Sequence, residues 1–155
     1  MFSHQKITNF CLQRIKETPT LAKIIDPITR KAGFDTEELT SVQEAYDVNT
    51  GEYSVELDRC LKRDNKPIIF LQAKPIGRQD LFKVDYSKTF KAAKKAGVDI
   101  CLFTDGRIWK FYSFNMSLYS ETPRLFKTID VLNNLPGYEE LIQILADLRG
   151  GDKYV

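Results

Sequence analysis

Residues 53–74 read YSVELDRCLKRDNKPIIFLQAK, two strand-like runs about a polar segment. The polar segment is Lys62-Arg63-Asp64-Asn65-Lys66, and Pro67 marks entry to the second run, so the stretch predicts a β-hairpin. The first strand alternates, with Val55, Leu57 and Leu61 assigned to one face and Glu56, Asp58 and Cys60 to the other. The second, Ile68-Ile69-Phe70-Leu71, is apolar throughout and ends abruptly in Gln72-Ala73-Lys74. Folding symmetrically about Asn65 puts Asp58 opposite Gln72 and Glu56 opposite Lys74, with Gln72 and Lys74 on the side of Asp58. That register gathers a carboxylate, an amide oxygen and an ammonium at the polar end of a buried strand.

Outward from the hairpin, the chain alternates helices and strands. Ile7, Phe10, Cys11 and Ile15 recur at helical spacing and predict a helix over 3–16. Thr18-Pro19 has the pattern of a cap followed by proline at the first helical position, and Leu21, Ile24, Ile25 and Ile28 continue an apolar face. Asp26-Pro27 repeats the pattern and predicts a kink or a fresh start; Gly33 ends the helix. A strand is expected over 41–48, a helix over 79–96 closed by Gly97, and a hairpin of Asp99–Thr104 and Arg107–Phe114 about Asp105-Gly106. A short strand over 128–132 and an amphipathic helix carrying Tyr138, Leu141, Ile142, Leu145 and Leu148 complete the series. The expected fold class is therefore α/β, a mixed central sheet flanked by helices, with the strands around Ile69 and Leu102 at its centre. The expected organisation is a single domain over residues 1–150 and a disordered tail over 151–155.

Composition narrows the chemistry. The chain has 155 residues, 43% hydrophobic and 12% aromatic, which suits one domain with a proper core. No run approaches the roughly 18 apolar residues of a membrane helix, and the first ten residues lack the apolar core of a signal peptide. Cys11, Cys60 and Cys101 are far apart and show no Cys-x-x-Cys spacing, so reduced, buried thiols in a cytoplasmic protein are expected. His4 is the single histidine, which removes Ser-His-Asp triads, Cys-His pairs and histidine metal clusters. Any catalysis must use carboxylates and lysine. Net charge is only +2, yet residues 59–95 hold eleven Lys/Arg against three acids, an excess of +8 that leaves −6 for the rest. A polyanion surface beside the hairpin would account for that asymmetry, as would a one-sided solvated helix.

An acid, a short gap and then (Asp/Glu)-x-Lys is the signature of the PD-(D/E)xK nuclease superfamily, and this chain resembles it. The resemblance is to the N-terminal nuclease domain of type I restriction enzyme motor subunits and their stand-alone relatives. Three stretches carry it: Glu17-Thr-Pro-Thr-Leu-Ala-Lys-Ile-Ile-Asp-Pro-Ile-Thr-Arg-Lys-Ala-Gly33-Phe34, Leu57-Asp58-Arg59 with Pro67-Ile-Ile-Phe-Leu-Gln-Ala-Lys74, and Ile100-Cys-Leu-Phe-Thr-Asp-Gly-Arg-Ile-Trp-Lys-Phe-Tyr112. They look like that family's opening helix with its "I-x-P" segment, its catalytic hairpin, and its later "LTNG-x-x-W-x-x-Y" hairpin. Together they span residues 17–112.

The resemblance implies a restriction-endonuclease-like fold and metal-dependent DNA endonuclease activity of restriction or defence type. It implies Asp58 as main ligand to Mg²⁺ or Mn²⁺, Gln72 and the Ala73 carbonyl completing the protein's share, and Lys74 orienting or deprotonating the attacking water. Glu17 would assist from the helix. Phosphodiester hydrolysis suits that set, because a hard cation takes oxygen ligands, keeps several waters and neutralises developing charge. Lys83, Lys88, Lys91 and Lys95 are candidate phosphate contacts on the following helix. DNA is the implied partner, with motor or specificity subunits of a restriction system beside it.

Gln72 is the departure, since the commoner motif has a carboxylate there. An amide offers oxygen but no charge, so metal affinity should fall, although Mrr-type restriction nucleases carry a Gln-x-Lys version. The alternative is therefore a nuclease-fold module that binds DNA or a partner subunit without cutting. Taken singly, Asp58, Lys74 and Glu17 have ordinary surface roles, and Trp109, Phe111 and Phe114 are core aromatics. Only the combination points to a nuclease.

Overall fold

A computed structural model of the chain describes residues 4–13, 20–74, 86–114, 123–132 and 135–151. Six strands, β1 (Val42–Asn49), β2 (Ser54–Arg63), β3 (Lys66–Ala73), β4 (Ile100–Thr104), β5 (Ile108–Ser113) and β6 (Arg124–Asp130), form one sheet in sequence order. Among the described residues four α-helices flank it: α1 (His4–Gln13), α2 (Asp26–Lys31), α3 (Ser87–Ala96) and α4 (Leu135–Arg149). β3 and β4 pair in parallel and all other neighbours antiparallel, so the sheet is mixed. Parallel neighbours need a crossover, and the connection containing α3 supplies it. The expected α/β architecture is the observed one.

The central position of β3 and β4 follows from their composition. Ile69, Leu71, Ala73, Ile100 and Leu102 pack on one face with Ile24, Ile25 and Ile28, Trp109, Phe111, and Leu141 and Leu145 of α4. Phe70, Cys101 and Phe103 pack on the other with Val55, Leu57 and Cys60 and with Ala92 and Ala93 of α3. Each such side chain contributes roughly 1.5–3 kcal/mol on full burial, so only strands apolar on both faces suit the middle. Trp109 and Phe111 are fully buried and Phe114 half-buried, as core aromatics should be.

The hairpin closes more tightly than a five-residue turn. Asp64 and Asn65, at φ +51° and +65°, form a two-residue turn flanked by the pair Arg63–Lys66. Both positions need φ above zero, which Asp and Asn tolerate better than other residues with side chains. Left regular, this turn would set Asp58 opposite Leu71. Instead the register shifts between Leu61 and Lys62, with Lys62 facing Pro67 and Leu61 facing Ile69, so Ile68 is left over as a bulge. Beyond the bulge Arg59 faces Leu71 and Cys60 faces Phe70. The register expected from symmetry about Asn65 is thus recovered as far as Arg59–Leu71, the last pair of this ladder.

A second irregularity corrects the expected faces of β2. The β1–β2 ladder runs from Val42–Leu61 to Glu44–Arg59, resumes at Tyr46–Leu57, and skips Ala45 and Asp58. Ala45 takes φ +48°, a conformation that costs a non-glycine residue about 1–2 kcal/mol. The alternation slips there in both strands. Val55 and Leu57 share the α3 face with Cys60, whereas Leu61 lies on the opposite face with Val42. A strict period of two cannot anticipate that slip.

The kink expected at Asp26-Pro27 takes the form of a widened turn. Residues Leu21–Ile25 are π-helical, and the Asp26 N–H reaches back five residues to the Leu21 carbonyl before α2 begins. A proline ring clashes with the carbonyl four residues earlier in a regular helix, and a wider turn relieves that clash. β6 begins at Arg124, earlier than expected; its first residues are exposed and carry no apolar alternation that would mark them in the sequence. Gly97 ends α3 at φ +71°, with its N–H donating to the Ala93 carbonyl. The start of the helix expected over 79–96, the cap at Thr18-Pro19 and residues 152–155 lie outside the described residues.

Gly106 joins the β4–β5 loop to the helical layer. It has φ +89°, and a Cβ there would sit 3.1 Å from Ile24 Cγ2 and 3.2 Å from Thr20 Cγ2. Gly106→Ala combines left-handed strain with overpacking and is expected to cost about 2–4 kcal/mol, read as a lower midpoint in equilibrium urea unfolding with unchanged slope.

Candidate active site

Of the candidate residues, Asp58, Gln72, Ala73 and Lys74 come together, where the two parallel strands end. The Lys74 N–H donates to the Thr104 carbonyl at 2.9 Å, extending the β3–β4 ladder by one bond and fixing the point from which the lysine emerges. Thr104 is buried, and its Oγ1 accepts the Gly106 N–H at 2.8 Å, so the turn after β4 is tied down as well.

Asp58 sits at the slip in β2, and side chains take up its backbone. Its N–H donates to Gln72 Oε1 at 3.2 Å and its carbonyl accepts from Arg59 Nη1 at 2.7 Å. Its carboxylate Oδ2 accepts the Ala73 N–H at 2.7 Å. Gln72 Nε2 donates to the Glu56 carbonyl at 3.0 Å and approaches Thr89 Oγ1 of α3 at 3.5 Å. One amide side chain therefore straps β3 to two backbone positions of β2. Asp58, Gln72 and Ala73 form one hydrogen-bonded cluster, with Lys74 beside it.

Electrostatics single out Asp58. Burial raises its carboxyl above the usual carboxylate range, against the lowering effects of the Ala73 N–H and of the charges on Arg59 and Lys74. The half-buried acid is thus held partly desolvated between two cations. Such a group is a functional-site candidate on physical grounds.

Sequence reasoning missed Arg59 and Asp26. Arg59 Nε and Nη2 donate to Asp26 Oδ1 and Oδ2, both at 2.9 Å, while Nη2 lies 3.6 Å from Glu44 Oε1. Both partners are buried. The sequence signal is slight, because Arg59 is one of five charged residues in β2 and Asp26 has the pattern of a helix cap.

The lysines of α3 divide. Lys88 and Lys91 place Nζ 5.6 and 5.4 Å from the centre of the Tyr53 ring, and Lys91 pairs with Glu52 at 2.6 Å. Lys95 is exposed. Glu17 and Lys83 lie outside the described residues.

The donor set can be tested against the implied cation. Asp58 offers its second carboxylate oxygen, and Gln72 Oε1 retains a lone pair beyond the one that accepts the Asp58 N–H. Among the described residues no three His, Cys, Asp or Glu come together. This set fits a hard ion such as Mg²⁺ that keeps most of its waters, and not a soft or histidine-bound metal.

No protein-family model and no curated protein matches the chain. Its backbone is similar to a solved structure described as "The fragment structure of a putative HsdR subunit of a type I restriction enzyme from Vibrio vulnificus YJ016". The TM-score is 0.51 at 17% identity, over 88% of this chain and 26% of that one. The fold is restriction-endonuclease-like. At that identity the likeness is one of fold alone, and the chain spans about a quarter of that protein's length.

Because burial raises the Asp58 carboxyl, its ionisation opposes folding. That penalty is present above the folded-state pKa, shrinks as pH falls through it, and is gone below the unfolded value of 3.8. Asp58→Asn is therefore expected to raise the melting temperature near neutral pH, and the gain should close as pH drops below 3.8. Thermal unfolding of both proteins across that range checks it.

Proposed function

We propose that this chain is a metal-dependent DNA endonuclease domain of restriction or defence type. The observation that supports it is the half-buried, desolvated Asp58 carboxylate, hydrogen-bonded to Ala73 and flanked by Gln72 and Lys74 at the end of β3. The shared fold with a restriction-subunit fragment makes that chemistry a natural one to test.

In this reading Asp58, with the Gln72 amide oxygen and the Ala73 carbonyl, would hold Mg²⁺ or Mn²⁺, which neutralises phosphate charge and acidifies water. Lys74 orients the attacking water and stabilises negative charge developing on the scissile phosphate. Lys88, Lys91 and Lys95, with Lys83, contact flanking phosphates, and Glu17 assists as a further acid. Part of the Lys91 charge is offset by Glu52, an exposed pair that DNA can displace at little cost. Motor or specificity subunits of a restriction system are the proposed protein partners. The buried free thiols of Cys60 and Cys101 suit a reducing, cytoplasmic setting. Among the described residues, no helix is long and apolar enough to cross a membrane.

One observation favours a second reading, a module that binds DNA or a partner subunit without cutting. Gln72 spends its oxygen on the Asp58 N–H and its amide group on the Glu56 carbonyl, so the hairpin end is satisfied without an ion.

Incubation of supercoiled plasmid, methylated and unmethylated, with Mg²⁺ or Mn²⁺ separates the two. The endonuclease reading expects nicking or linearisation that falls by about 10²–10⁴-fold in Lys74→Ala and in Asp58→Ala. Salt-dependent DNA binding that is indifferent to metal, with no cleavage by the parent protein, would replace it with the binding module.

A further inference from the structure

The peptide of Asp58 is held by two side chains from opposite sides. Gln72 takes its N–H, while Arg59 Nη1 takes its carbonyl at 2.7 Å. Arg59 is itself immobilised, because its other donors form a two-pronged bridge to Asp26. A planar guanidinium gripped at Nε and Nη2 presents Nη1 in a fixed direction. Asp26 in turn is set by the widened turn, its N–H bonded to the Leu21 carbonyl and its own carbonyl accepting Thr29 Oγ1 at 3.0 Å. Helix, arginine and Asp58 peptide form one rigid chain of bonds.

The consequence concerns where the Asp58 carboxylate points. The ladder skips this residue, so pairing with β1 does not fix the rotation of its peptide. Drawing Arg59 to the α2 face while Leu57 stays on the α3 face imposes the slip that aims the carboxylate at the Ala73 N–H.

We infer that Asp26 and Arg59 are a positioning pair, which orients Asp58 for its work by holding the Asp58 carbonyl from behind the sheet. The inference rests on Asp58 being the site's acid. Neither partner touches the reacting atoms. Both lie within the stretches quoted for the opening helix and the catalytic hairpin, so the pair joins two separate motifs.

The test removes both charges together in Asp26→Leu/Arg59→Met, so that no buried charge is orphaned. Amide hydrogen exchange and Mn²⁺ titration are compared with the parent. Ala73 is expected to lose protection by about tenfold or more while Leu71 and Leu102 keep theirs, and Mn²⁺ affinity is expected to fall by about 10–100-fold. A folded variant with parental Ala73 protection and Mn²⁺ affinity would overturn the inference. So would protection lost equally at all three amides, because the pair would then only stabilise the fold. If the double variant does not fold, Arg59→Lys retains the charge without the fork and is read by the same two measurements. The nuclease reading is judged separately on Lys74→Ala. Parental cleavage in the pair variant but none in Lys74→Ala sinks the pair and spares the nuclease. A parent that neither binds Mn²⁺ nor cleaves sinks the nuclease, and Ala73 exchange still decides the pair.

Discussion

A two-pronged bridge between Asp26 and Arg59 ties the helical layer to the stretch of β2 that carries Asp58. Two buried charges are costly to desolvate, and they persist only where geometry and further hydrogen bonds are excellent. Here both conditions hold. The bridge is two-pronged, the remaining guanidinium nitrogen bonds the Asp58 carbonyl, and Glu44 stands close by. Removing one partner alone would strand a charge at a cost of about 3–5 kcal/mol. The pair therefore commits Arg59 to the helical face, and the strained Ala45 opposite the slip is part of what that commitment costs. Strain stored beside a candidate acid is a common feature of functional sites.

The same helical segment supports the site at a second point. Thr20 and Ile24 crowd Gly106, in the loop that follows β4, while Asp26 holds Arg59 behind β2. β4 carries Thr104, whose carbonyl fixes Lys74. The widened turn thus buttresses both the strand bearing the acid and the strand that anchors the lysine. In open α/β sheets ligands bind beyond the carboxyl ends of parallel strands. β3 and β4 are the parallel pair of this sheet, and Lys74 and Asp105 follow their ends.

Much of this was legible in the sequence, for identifiable reasons. The hairpin, the central strands and the last helix follow from composition and periodicity, which report burial directly. The register that brings Asp58 beside Gln72 was also reached, though along a simpler path than the chain takes. Symmetry about Asn65 ignores both the two-residue turn and the bulge at Ile68, whose effects on register cancel. The faces of Cys60 and Leu61 came out exchanged because the slip at Ala45 and Asp58 leaves no mark in an alternation pattern. The Arg59 bridge was illegible for a related reason. It joins residues 33 apart, and pairing across such a separation is set by tertiary packing. Legibility ended where the chain departs from regular periods, and the slip in β2 lies within the candidate site.

Gln72 is best understood through what a carboxylate would do in its place. A glutamate could accept the Asp58 N–H as the amide oxygen does, but it has no donor for the Glu56 carbonyl. It would also set a second negative charge beside an acid already penalised by burial. Such a pair demands a cation to be stable, and the fold of the hairpin end would then depend on metal. The amide reverses that dependence. It closes the strand end with two hydrogen bonds of its own, leaves Asp58 as the single acid of the described cluster, and leaves the charges of Arg59 and Lys74 to offset part of the cost of burying it. On the proposed nuclease reading, the hairpin end would trade affinity for an ion against a geometry that stands without one.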